Sequence, residues 1–158
     1  MSSKKILTII SFLIIFASTI GKSYSIEPDI FVQSTVNRAA KTLGGNLTKE
    51  ERIERLKEIA EDTVDIKGIG RYSLGSFIKN INDEEIKQYE ILFEQYFLKS
   101  FSSRLAEYTN PEIEVTSKKK KNKNYTIVSS TLVSTEQRPE VKIDWVIYTK
   151  NPNNPKIR

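Results

Sequence analysis

The sequence predicts an α+β domain in which N-terminal helices pack on a curved antiparallel sheet. Three observations carry this. Apolar residues recur at helical spacing through the first hundred residues, the period changes to two after Pro111, and Val141–Thr149 is a strongly β-favouring run.

Each element follows from its residues. Val32, Val36, Ala39, Ala40 and Leu43 form one stripe of a helix over residues 30–43, which Gly44-Gly45 stops. Thr48-Lys49-Glu50-Glu51 is a capping box opening a second helix with Ile53, Leu56, Ala60 and Val64 inward. Its polar face mixes charges of both signs, as a solvated surface does. Gly68, Gly70 and Gly75 are spaced too irregularly for a phosphate loop, and are expected to let short helices approach another backbone. Asn82-Asp83-Glu84-Glu85 caps a long helix to about Tyr108, whose apolar stripe is rich in aromatics. From Pro111 the expected strands are Glu112–Ser117, Tyr125–Ser134 and Val141–Thr149, with Lys118–Asn124 as a polar hairpin tip. Asn151-Pro152-Asn153-Asn154-Pro155 is a strong turn followed only by Lys156-Ile157-Arg158.

The N-terminus has a different character. Lys4-Lys5, an apolar run from Ile6 to Ile20 and Ser23-Tyr24-Ser25 have the layout of a secretory signal peptide, so residues 1–25 are expected to be cleaved and 26–158 to form one exported domain. The run is shorter than the roughly 20 residues of a membrane-spanning helix. The 25 Lys and Arg against 20 Asp and Glu give a net charge of +5, which falls to +2 once Lys4, Lys5 and Lys22 are removed.

Composition excludes much chemistry. With no Cys there is no disulfide or thiolate, and with no His the commonest general base and metal ligand is missing. Asp65, Glu140 and Asp144 stand near apolar segments without pairing as an acid/base couple. No catalytic residue, metal site or cofactor is therefore expected, and the chain is not expected to be an enzyme. An isomerase of the cone-shaped α+β type would need a buried acid that the sequence does not offer. Five lysines between Lys118 and Lys123 lack the interleaved aromatics of a nucleic-acid surface; they suit a solvated loop, with anionic lipid head groups as the alternative contact. Asn46-Leu47-Thr48 matches a glycosylation sequon, but Thr48 is accounted for as a helix cap.

The segment Val64–Lys79 with Leu74-Gly75, then Phe93-x-x-Tyr96-Phe97-x-x-x-Phe101-x-x-x-Leu105-x-x-Tyr108, then Val141-x-Ile143-x-Trp145, resembles the MlaC family, the toluene-tolerance auxiliary proteins. The resemblance spans about residues 29–158. It implies an NTF2-like, MlaC-like cone and a periplasmic phospholipid carrier. The implied partners are phospholipid, the substrate-binding component of an inner-membrane ABC transporter and an outer-membrane lipoprotein complex, which together maintain outer-membrane lipid asymmetry. On this reading acyl chains lie between helices and sheet, and the expected lipid-binding walls are Leu74, Phe77, Tyr89, Phe93, Tyr96, Phe97, Phe101, Tyr108, Val128, Ile143, Trp145 and Ile147. Two departures accompany it. Gly68 and Gly70 replace bulkier residues, and the family's further strand, Glu-Gly-x-Ser-type element and C-terminal helices have no counterpart before Arg158. The expectation is thus a domain lacking its C-terminal part, with a truncated, non-functional or purely structural exported fragment as the alternative.

Overall fold

The computed structural model describes residues 25–136 and 138–158; the expected signal peptide lies outside the described residues but for Ser25. Helix α1 spans Pro28–Gly44, α2 Lys49–Thr63, α3 Ile66–Leu74 and α4 Asp83–Leu105, with a 3₁₀ turn at Gly75–Lys79. The sheet holds β1 (Ile113–Asn122), β2 (Tyr125–Leu132), β3 (Val141–Tyr148) and β4 (Lys156–Ile157) in the order β1-β2-β3-β4, every neighbour antiparallel. The fold is α+β, as the change of period predicts.

Local chemistry sets the helix starts. Thr48 accepts from the Glu51 amide at 3.2 Å while Glu51 accepts from the Thr48 amide at 2.8 Å. Asn82 and Glu85 repeat the exchange, with Asn82 Oδ1 accepting from the amides of Glu84 and Glu85 at 3.0 Å. These reciprocal caps satisfy amides that the first turn leaves without partners. Asp65 Oδ1 caps α3 by accepting from the Gly68 amide at 3.0 Å.

The structure corrects four local expectations. Four of the five lysines lie in β1 and not in the hairpin tip: Lys118, Lys119 and Lys120 stand in ladder register with Val128, Ile127 and Thr126, and the turn is only Lys123-Asn124. β2 offers a complete backbone ladder, and lysines alternating between the two faces of a strand repel each other too weakly in water to break it. Helix α4 stops at Leu105, so Tyr108 lies beyond it. Gly68 and Gly70 make room for side chains rather than backbone: a Cβ at Gly68 would fall 2.3 Å from Asp65 Oδ2, and one at Gly70 would fall 2.9 Å from the Phe93 ring. Gly75, at φ +54°, is the position that needs glycine's freedom. Finally, the Asn151–Pro155 turn does deliver the chain into a strand, since Ile157 and Lys156 pair with Ile147 and Tyr148 of β3.

Two regions result. In the body, α1 packs on β1 and β2, and Val32, Val36, Val128 and Ile147 close into a core. Helix α2 packs on α1 and α4 but meets the sheet chiefly through Val64, which bridges in parallel to Ile157. In the arm, α3 packs on the first half of α4, and the 3₁₀ turn packs on α3.

Candidate functional site

Because α1 touches the sheet and α2 stands off it, the space between them is incompletely filled. A cavity of ≈ 340 Å³ opens there. Helix α1 supplies Thr35, Val36, Ala39, Ala40 and Leu43; α2 supplies Leu56, Ile59, Ala60 and Thr63, and Val64 follows at its C-terminal end. Phe101, Leu105, Tyr108 and Pro111 close one end, while Ile113, Leu132, Val141, Ile143, Trp145 and Ile157 form the sheet wall. The vacancy exists where the facing side chains are small: Ala39, Ala40, Ala60, Thr35 and Thr63.

Its chemistry is that of a hydrocarbon surface. Among the described residues, no charged side chain lines it. The Thr35 hydroxyl donates to the Phe31 carbonyl at 2.9 Å, the Thr63 hydroxyl to the Ile59 carbonyl at 2.6 Å, and Trp145 Nε1 to Ser130 Oγ at 2.8 Å. These polar groups are thus partnered within the wall, and an apolar guest leaves them satisfied. At roughly 30 Å³ per methylene, comparable to the share of a water molecule in the liquid, the cavity takes on the order of ten methylenes. Burying these is worth about 8 kcal/mol at about 0.8 kcal/mol each.

One seam of the cavity is held by β4. Ile157 lines the wall, its carbonyl accepts from the Asp65 amide at 2.8 Å, and the Arg158 amide donates to the Val146 carbonyl at 2.8 Å. The Arg158 guanidinium donates to Asp65 Oδ2 through Nε at 2.9 Å and Nη2 at 2.5 Å, donates to the Tyr125 hydroxyl at 2.6 Å and lies 4.3 Å from the centroid of the Tyr148 ring. Asp65 therefore caps α3 and ties β4 to the helices at once.

Of the twelve wall residues expected from the sequence, Phe101, Tyr108, Ile143 and Trp145 line this cavity. Val128 and Ile147 belong instead to the closed core with Val32 and Val36. Phe93 and Phe97 pack against Ala60, Val64 and Ile66, and Tyr89, Phe93, Phe97 and Phe101 stack in sequence with ring centroids 5.7, 6.2 and 5.3 Å apart. Tyr89 shares a 2.7 Å hydrogen bond with Ser73. Leu74 sits half-buried at the end of α3, whereas Phe77 and Tyr96 are 72% and 70% exposed. Sequence reasoning missed the small residues of α1 and α2. Their signal was present in Ala39-Ala40 and Ala60, which the helical stripes place inward, but small residues also suit close packing.

Comparison with known proteins agrees with this geometry. The family model described as MlaC protein matches residues 32–158. Among curated proteins, none matches the chain. Among solved structures, a phospholipid-binding protein from Ralstonia solanacearum, determined in complex with a phospholipid, superposes with a TM-score of 0.68 at 17% identity, covering 84% of this chain and 75% of that one. At that identity the likeness is one of fold, while the family match extends over most of the chain. The chain belongs to the MlaC protein family.

Proposed function

We propose that the chain is a periplasmic phospholipid carrier that holds acyl chain in the cavity between α1, α2 and the sheet, and releases it without bond chemistry. The observation that carries this is the cavity's wall, which is mostly apolar and whose threonine and tryptophan donors are already partnered. The fold neighbour's complex with a phospholipid supports the same ligand class. A cavity of ≈ 340 Å³ holds part of one acyl chain, so the remainder of the lipid extends past its rim. The signal-like N-terminus supports export, and no helix among the described residues is long and apolar enough to cross a membrane. Family membership supports a place beside an inner-membrane ABC transporter and an outer-membrane lipoprotein complex in maintaining lipid asymmetry.

The test is to purify the product of the whole gene from a periplasmic extract without detergent, then extract and weigh its lipid by mass spectrometry. The expected result is co-purifying phospholipid, lost when Ala39→Phe fills the cavity while the fold persists. Well-folded protein free of lipid overturns the proposal.

A further inference from the structure

One cation reaches the cavity wall. Arg138 lies in the connection from β2 to β3, where Thr135 and Arg138 exchange backbone hydrogen bonds of 2.8 and 3.2 Å. Its guanidinium carbon stands 5.1 Å from the centroid of the Tyr108 ring, and Tyr108 lines the cavity. The polar groups of this arginine are only partly satisfied. Arg38, Arg55, Arg71 and Arg158 each pair with a carboxylate, whereas Arg138, like Arg52 and Arg104, has none among the described residues. Among the described residues its side chain makes one hydrogen bond, from Nη2 to the Val133 carbonyl at a long 3.4 Å, and its buried Nε has no acceptor. A buried donor of a charged group without a partner is costly and uncommon.

We propose that Arg138 is the anchor for an anionic phosphate oxygen of the lipid head group whose acyl chain occupies the cavity. The inference rests on the carrier reading above. A guanidinium offers a planar fork of donors that matches phosphate geometry, and stacking on an aromatic face orders that fork before the ligand arrives. The cavity supplies no charge of its own, so a cation beside the wall residue Tyr108 is where a chain-bearing phosphate meets both halves of its chemistry. Recognition is then divided. The cavity selects for hydrocarbon, and Arg138 selects for the phosphate at its end.

The experiment uses the whole gene product stripped of lipid, titrated with phosphatidic acid, with diacylglycerol of the same chains and with glycerol 3-phosphate. Wild-type protein should bind phosphatidic acid more tightly than diacylglycerol and should not take up glycerol 3-phosphate at the same concentrations, which separates a head group from free phosphate ester. Arg138→Leu should weaken phosphatidic acid by about ten- to a hundredfold, the range for a lost hydrogen bond to a charged group, and leave diacylglycerol unchanged. Arg138→Lys, which keeps the charge without the fork, should fall between them; its unchanged melting temperature guards against misfolding. Equal binding of the two lipids by wild type, or equal losses of both in Arg138→Leu, overturns the role of Arg138 and leaves the cavity reading standing. Failure of wild type to bind either lipid overturns both.

Discussion

In the body, Val32, Val128 and Ile147 are 0% exposed, yet a cavity lies beside them. In the arm, Tyr89, Phe93 and Phe97 follow one another ring upon ring, yet Tyr72 and Phe77 stand 86% and 72% exposed. The body encloses more space than its side chains fill, whereas the arm carries more apolar surface than its neighbours cover. Residue size explains the difference: α1 and α2 turn alanines and threonines inward, while α4 concentrates five aromatic rings on a helix that packs chiefly on α2 and α3. Burial of a large side chain and membership of a cavity wall are thus separate properties, because a void needs neighbours that are too small.

The largest test of this contrast is a pair of truncations. Ile147→Ala should cost about 2–5 kcal/mol, as deletions in closed cores do, while Phe77→Ala should stay within about 0.5 kcal/mol, as exposed substitutions do. Chemical denaturation of both variants measures the difference, and comparable losses would break the comparison. A smaller effect is expected at Gly70→Ala. The new methyl would meet the Phe93 ring at 2.9 Å, and that ring is held between Tyr89 and Phe97. Overpacking of about 1–3 kcal/mol is offset by the helix preference for Ala of about 1 kcal/mol, so the melting temperature should fall slightly; a rise would show that the arm is looser than its ring ladder suggests.

Legibility followed the same division. Both capping boxes were readable because a cap is a contract between residues three apart, as in Thr48 with Glu51 and Asn82 with Glu85. The alternation of Tyr125–Leu132 was readable for the same local reason, and its buried Thr126, Val128, Ser130 and Leu132 obey it. The lysine run misled because five like charges look like a turn, although a paired strand tolerates four of them. The cavity was the least legible feature. Aromatic size drew attention to α4, but Ala39 and Ala60 face a void only after β4 and the end of α4 arrive from distant parts of the chain. Gly68 could not be interpreted until Arg158, ninety positions away, was seen beside Asp65.

The smallest expected effect lies where α1 meets β1. Lys118 donates to Glu27 at 2.7 Å and to Asp29 at 2.8 Å, and the hydrogen bond from Lys118 holds the Asp29 carboxyl below its ordinary value of 3.8. A depressed carboxyl stabilises the fold above its unfolded value, and that contribution disappears as pH falls through the lower native one. The stability gap between wild type and Asp29→Asn should therefore be constant at neutral pH and shrink as pH drops below 3.8. The pair is exposed, so the gap itself should be small. A gap that widened in acid would contradict the pairing.

The short strand β4 also sets the order of events during folding. Its Ile157 meets Val64 and Ile147, so the seam between helices and sheet joins parts of the chain made far apart in time. Contacts of such separation form late, because the intervening chain must be ordered before they repay its entropy. A chain threaded through a membrane N-terminus first would expose α1 and α2 long before residue 157 could close over them. In such a chain the apolar interior would stay open until β4 docks.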